Sequence, residues 1–349
     1  MSEEPVKLKK GSKVAVVSLS WGILGEAKAD VQRELGIKRL REIGLEPVFM
    51  PNALKGIAYL HDHPEARAAD LKAAFADDSI DMILTAIGGD DTYRLVPYLL
   101  DDEEFKAMVR SSRKVFMGYS DTTINHFMLY KLGLHTFYGP SFMPHFSEYA
   151  TEMLPYTKEA VLSSLFEGSK QNVIISSPIW YEERTNFSAS QLGVDRVSHK
   201  ETRAFELLQG KEGFSGELLG GCLESMCDLI TGQRFADEKA VEEKFHIFPD
   251  DWNGKILFVE TSEEKMSPDT YAKSLEILKR RGIFDSVNGI IVGKPQNEMY
   301  YEEYKRIIVQ VVGDPSKPIL FNLNFGHAYP LTVLPIGRRV TCHRDKIQF

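Results

Sequence analysis

The segment KVFMGYSDTTINHFMLYKL, residues 114–132, decides the fold of the first half of this chain. Residues 114–120 read as a buried strand. From Asp121 onward the apolar side chains fall at Ile124, Phe127, Met128 and Leu132, the spacing of one helix face. A strand that runs straight into a helix is the unit from which parallel sheets with crossover helices are built. Gly118, Tyr119 and Ser120 sit at the hinge. Either Ser120 or Asp121 caps the helix, or the serine hydroxyl is pushed out at the top of the sheet, as at a nucleophile elbow. The segment alone leaves both readings open.

The same alternation extends outward. Strands are expected at 13–20, 46–50, 81–89, 114–120 and 135–140, and helices at 28–44, at 64–77, in the stretch up to about 111 and after Ser120. The pattern predicts an α/β chain whose N-terminal domain is a flavodoxin-like, doubly wound parallel sheet covered on both faces. Ligands of such sheets sit at the carboxyl ends of the strands. Ser18–Ser20, Gly88–Gly89 and Ser120 all fall at that edge. The pattern loosens from 141 to about 215, where a helix near 156–166 leads to NVIISSPIWYEERTNFS. The later runs KILFVETSEE, GIIVGK, PILFNLN and TVLPIGRRVTCH, with helices at 267–281 and near 300–312, predict a C-terminal α/β domain with a strand-rich core. The expected division is 1–165 for the first domain, 166–215 for a linker with loops, and 216–349 for the second domain.

Composition narrows the function classes. The net charge is −8 and apolar residues make up 43% of the chain. A nucleic-acid polymer or an anionic membrane needs a basic face, so neither is expected as a partner. The N-terminal stretch reads as a strand preceded by lysines and acids rather than a signal segment, and no apolar run reaches membrane-spanning length. Cys222, Cys227 and Cys342 form no Cys-x-x-Cys pair and no zinc spacing, which fits packing in a reduced cytoplasm.

Serine chemistry needs a base, an acid to orient the base, and donors for an oxyanion. Of nine histidines, His61 and His63 flank Asp62 in what reads as a solvated loop. His126 lies too far along its helix to reach back to Ser120. His327 follows PILFNLN and Gly326, so a strand end and a sharp turn place its imidazole on a rim; a structural loop histidine is the alternative. Glu260 ends the apolar run KILFVE, where a carboxylate is costly unless paired, and a histidine is a suitable partner. Glu263 and Glu264 read as solvated. Ser, Glu, His is the chain order of α/β-hydrolases. Gly88 and Gly89 end a strand with backbone N–H groups open to a ligand, and the Asp121 N–H follows the serine. The GGDD run departs from the GGDEF signature, because a helix follows and Thr92 replaces the aromatic. Walker-type phosphate spacing is absent.

With these residues in place, the chain resembles the LD-carboxypeptidase serine peptidases, a family that includes the microcin C immunity peptidases. The resemblance spans nearly the whole chain and rests on IGGDD, GYSDTT, FYGPSFM, GELLGGCLESMCDLITG, ILFVETSEE and FGHAYPLTVLPIG, in family order. It implies a triad of Ser120, His327 and Glu260, and an oxyanion hole from the Gly89 and Asp121 amides. It also implies a cytoplasmic protein, usually a homodimer, without metal or nucleotide cofactor. Ile87-Gly88-Gly89-Asp90-Asp91, where the murein-recycling branch shows Arg-Gly-Gly-Tyr-Gly, looks like the immunity branch. That branch cleaves the amide joining an aminoacyl group to a nucleotide-like moiety, with a loop aromatic against the base. Gly88, Asp90, Trp180 and Tyr181 become the expected substrate-binding residues, with interdomain packing the alternative for Trp180. Hydrolysis of murein tetrapeptides is the alternative activity, and a non-catalytic nucleotide- or peptide-binding module the alternative of another class.

Overall fold

Continuous apolar runs of four to six residues demand burial on both faces, and the strands that carry them lie inside two α/β units. The computed structural model describes residues 4–169 and 173–349. The first unit takes the described residues up to 169 together with 184–195, and the second takes 173–183 with 196–349.

In the first unit, β1 (Lys13–Val17), β2 (Glu46–Phe49), β3 (Ile80–Thr85), β4 (Val115–Gly118) and β5 (Thr136–Tyr138) are parallel, in the order β2-β1-β3-β4-β5. This is the flavodoxin-like order, and its direction reverses between β1 and β3. Crossovers are made by α1 (Asp30–Glu42), by α2 (Ile57–Asp62) and α3 (Pro64–Ala76), by α4 (Val96–Leu100) and α5 (Glu103–Ser111), and by α6 (Thr122–Lys131); α7 (Pro155–Leu165) follows β5. All four residues of β4 are buried, as a strand covered on both faces requires. Local chemistry sets the ends of the helices. Pro64 opens α3 at a position whose N–H is not needed. Asp102 caps α5 by accepting the Phe105 N–H at 3.0 Å. β3 stops at Thr85, short of the expected end at 89, which leaves Gly88 and Gly89 outside the ladder.

The second unit holds β6 (Val173–Ile175), β7 (Ile179–Tyr181), β8 (Ser198–Lys200), β9 (Glu206–Gln209), β10 (Phe214–Cys222), β11 (Lys255–Glu260), β12 (Gly289–Gly293), β13 (Ile319–Leu323), β14 (Leu334–Ile336), β15 (Arg339–Cys342) and β16 (Lys346–Gln348). Eight of these make one mixed sheet in the order β6-β16-β15-β10-β11-β12-β13-β9. Its centre, β10 to β13, is parallel, and both flanks are antiparallel. Helices α8 (Leu223–Thr231), α9 (Glu238–Phe245), α10 (Pro268–Arg280), α11 (Ile283–Ser286) and α12 (Tyr301–Val312) complete the unit. The apolar faces of α10 and α12 meet through the stacked rings of Tyr271 and Tyr304, 4.1 Å apart and buried. Burying one such side chain contributes roughly 1.5–3 kcal/mol.

The expected linker, 166–215, includes 170–172, which lie outside the described residues. From 173 onward it carries four short strands, β6 to β9, where long loops were expected. These strands are short and only partly buried, so burial dictates less of their pattern than in the fully buried β4 and β5. Among the described residues no helix is long and apolar enough to cross a membrane.

Candidate active site

The first unit builds its part of the site at the carboxyl edge of its sheet. Ser120 follows β4 at the start of the turn into α6, half-buried, with φ 63°. That left-handed backbone is uncommon for a residue with a side chain and marks a strained position. The conformation is held from several directions. The Ser120 N–H donates to the Tyr138 hydroxyl at 3.1 Å, and its carbonyl accepts the Thr123 N–H at 2.9 Å and the Thr123 hydroxyl at 2.6 Å. Gly88 has to be glycine because a Cβ there would lie 2.6 Å from Ser120 Oγ. The Gly88 carbonyl accepts the Trp21 N–H at 3.1 Å, tying the loop after β3 to the loop after β1. Gly89 and Asp90 are exposed at its tip.

Two acids that read alike in sequence behave differently. Asp91 is gripped by the fully buried guanidinium of Arg67, at 2.6 and 3.0 Å, and by Arg94 at 3.2 Å. It organises the 88–92 loop. Asp121 is buried at the start of α6 and accepts the Thr92 N–H at 2.9 Å. Burial pushes its carboxyl up to about 6, against the pull of hydrogen bonds from Ser20 and Thr92.

The second unit brings Glu260 and His327 together. Glu260 is the last residue of β11, buried, and its Oε2 stands 2.7 Å from His327 Nδ1. The same oxygen accepts the His327 backbone N–H at 3.2 Å. The approach depends on Gly326, φ 82°, directly over the carboxylate. One expectation is corrected here. Glu263 does not simply face solvent: the turn after β11 carries its Oε2 to 3.0 Å from His327 Nε2. Glu264 remains largely exposed, paired with Arg234 at 2.8 Å.

Trp180 and Tyr181 lie beside the His327 loop, but on a strand rather than in a loop. β7 pairs antiparallel with β8, and the Trp180 ring stacks on His199 at 4.2 Å and 20°. The Lys294 ammonium stands 5.3 Å from the Trp180 ring. The Tyr181 N–H donates to the Tyr329 carbonyl at 2.9 Å, and the Ser177 N–H donates to Asn324 Oδ1, also at 2.9 Å. Residues 177–181 therefore run along the 324–329 segment.

Sequence reading missed Glu224. It lies in α8 and is buried; burial raises its carboxyl, and the charge of Glu260 adds to the rise. Its Oε1 accepts both the N–H and the hydroxyl of Ser262, at 2.9 and 2.8 Å, and so fastens the turn that carries Glu263. The apolar flanks of Glu224 in CLESMC were the available signal. His126 is internal, its Nε2 3.0 Å from the Gly118 carbonyl and its Nδ1 2.8 Å from Thr136 Oγ1. His63 pairs with Glu65 at 2.7 Å and His61 lies 3.8 Å from Asp91. Among the described residues no group of three or more His, Cys, Asp or Glu side chains is arranged to hold a metal ion. All three cysteines are buried, and none is in a disulfide.

A flavodoxin-like sheet followed by a strand-rich mixed α/β unit, with residues 14–139 matching the LD-carboxypeptidase N-terminal domain and 215–342 the C-terminal domain, defines a serine-type, carboxypeptidase-like hydrolase. The crystal structure of an MccF-like protein from Streptococcus pneumoniae in complex with AMP is 47% identical, with a TM-score of 0.92 over 97% of this chain and 98% of that one. The microcin C7 self-immunity protein MccF of Escherichia coli is 27% identical over 317 residues, 89% of this chain and 85% of MccF. A probable murein peptide carboxypeptidase of Bacillus subtilis is 28% identical over 348 residues, 97% and 91% of the two chains. The chain belongs to the LD-carboxypeptidase family.

Proposed function

We propose that this protein hydrolyses the amide of an aminoacyl- or peptidyl-nucleotide analogue through a Ser120–His327–Glu260 triad. Ser120 Oγ attacks the carbonyl carbon while His327 takes its proton. Glu260 orients the imidazole and stabilises its charge. The Gly89 and Asp121 amides receive the oxyanion. The amine leaves with the proton from His327, and water, deprotonated by the same imidazole, releases the acyl group from Ser120. Gly88, Asp90, Trp180 and Tyr181 are assigned to substrate binding. The observation that carries the reading is the left-handed backbone of Ser120 at a strand-to-helix hinge, the geometry of a nucleophile elbow. The Glu260–His327 pair supports the second part of the triad.

The nucleotide part of the substrate is supported by the AMP held by the 47% identical relative. Cleavage of murein peptides is a second reading, favoured by the Bacillus subtilis relative. The proposal extends, on the family resemblance, to a cytoplasmic homodimer that uses no metal or nucleotide cofactor. Turnover of aminoacyl sulfamoyl adenosines and of murein tetrapeptides by the purified protein and by Ser120→Ala tests both readings. Near wild-type turnover in folded Ser120→Ala would end the serine mechanism, and exclusive turnover of murein peptides would transfer the substrate assignment to the second reading.

A further inference from the structure

Trp180 and His199 are directly opposed residues of the β7–β8 ribbon. Their rings lie 4.2 Å apart and within 20° of parallel. Opposed side chains of this kind are the pairs through which antiparallel strands stabilise one another. Two strands alone make a marginal sheet, so a single stacked pair weighs more here than in a wide one. The imidazole is also held at its edge, where Nε2 stands 2.8 Å from Glu182 Oε1. The Glu182 N–H donates to the Val197 carbonyl at 2.9 Å, so the pairing runs one residue past β7. Side chains alternate along an extended chain, which puts Glu182, Trp180 and His199 on one face of the ribbon.

The ribbon is tied to the carboxyl edge of the central sheet through both of its strands. Beyond β7, the Glu183 N–H donates to Asn297 Oδ1 at 2.9 Å. Beyond β8, the Glu201 N–H donates to the Pro178 carbonyl at 2.9 Å. Glu201 Oε2 accepts from the Lys294 ammonium, also at 2.9 Å. Lys294 follows β12 and donates further to Glu298 at 2.6 Å and Asn322 at 3.3 Å. An ammonium has three N–H groups, and these three acceptors use them all. The backbone under Trp180 is therefore fixed. The half-buried indole keeps only its own side-chain torsions, and the imidazole stacked on it blocks those that would turn the ring away.

We propose that His199 is a positioning residue: its imidazole holds the Trp180 indole in the orientation in which that ring receives a nucleobase. The inference rests on the assignment of Trp180 to substrate binding made above. While His199 lies on the ring, a base stacks only on the indole surface that His199 leaves. Without the imidazole, the ligand itself has to order the indole, and ordering a side chain is part of the cost of binding.

The test measures AMP binding to the whole chain by titration calorimetry, so that it does not depend on turnover. Trp180→Ala should weaken AMP binding about five- to 150-fold. His199→Ala should weaken it about two- to tenfold. KM for an aminoacyl sulfamoyl adenosine should rise by the same factor while kcat holds, because stacking binds ground and transition states alike. His199→Phe restores a flat partner without the bond to Glu182, and should return AMP affinity to within about twofold of wild type. In the Trp180→Ala background, His199→Ala should add nothing, since positioning acts through the ring.

A His199→Ala loss of equal size with and without Trp180 overturns the proposal, because it shows that His199 only supports the ribbon. Tighter AMP binding in His199→Ala overturns it too: the imidazole would then occupy the place of the base. If Trp180→Ala loses AMP affinity and His199→Ala does not, the role of His199 falls and that of Trp180 stands. If wild type and Trp180→Ala bind AMP equally, the base-stacking assignment itself falls, and the inference with it.

Discussion

A side chain on Gly326 would collide with Glu260: a Cβ at that position would stand 2.3 Å from Glu260 Oε2. The same oxygen faces His327 Nδ1 and accepts the His327 backbone N–H. The missing side chain is therefore what lets the loop close over the carboxylate. Gly326→Ala should separate the pair and also strain a backbone at φ 82°, at a cost of about 1–3 kcal/mol. Misplacing a catalytic group by about 1 Å can cost on the order of 10²-fold in rate. A folded Gly326→Ala protein with unchanged kcat would show that this contact does not position the base.

Ser120→Ala and His327→Ala should each lower kcat by on the order of 10⁶, and the double variant should be little worse than either, if the behaviour of other serine-protease triads transfers. Glu260→Gln keeps the shape but alters the partner of Nδ1, and should lower kcat by about 10⁴. Glu264→Gln should be mild. Single-turnover kinetics on each purified variant checks the set; additive losses in the double variant would argue against one shared mechanism.

Trp180 separates the two substrate readings. Stacking of a base on an aromatic ring is worth roughly 1–3 kcal/mol. Trp180→Ala should then lower kcat/KM about five- to 150-fold on adenosine-bearing substrates. Most of the loss should fall in KM, because a flat ring face binds ground and transition states alike. Cleavage of a peptide without a base should barely change. The Trp180 ring already stacks on His199, so a structural role makes a clear counter-prediction: a lower Tm and an equal loss on both substrates.

Asp121 gives a pH signature in stability. Its folded value, about 6, lies above its ordinary 3.8. The folded state therefore binds the extra proton between those values. Asp121 favours folding most below about 4, and that contribution is lost as pH rises through about 6. Asp121→Asn removes the charge and can still accept the Thr92 N–H. Relative to wild type it should gain stability as pH rises from 4 to 7, by up to about 3 kcal/mol. Denaturant unfolding of both proteins at a series of pH values measures the difference; a gap that stays constant with pH would place the Asp121 titration elsewhere.

The hinge at Ser120 was legible because its signals are local. The apolar run of β4, the Gly-x-Ser turn and the helical spacing after Asp121 lie within one segment of chain, and backbone periodicity alone relates them. Glu260 and His327 were legible for a related reason: each is a polar residue at or just beyond the end of a buried strand, where burial demands a partner. The strands β6 to β9 were not legible, because they are both short and only partly buried, so burial dictates less of their pattern than in the equally short but fully buried β4 and β5.

The amino-acid order by itself determined the two α/β units, the parallel sheet of the first, and the serine, glutamate and histidine at strand ends. It did so because apolar spacing dictates which face of each element is buried. Tertiary structure alone decided which like-looking charges meet. Asp91 is locked to Arg67 while Asp90 stays exposed. Glu224 anchors the Ser262 turn, and Glu263, which reads as a surface acid, reaches His327 Nε2. A charged side chain carries no periodic signature of its partner. Its role is set by which distant group the fold brings within about 3 Å, where a charge-assisted hydrogen bond offsets part of the cost of leaving water.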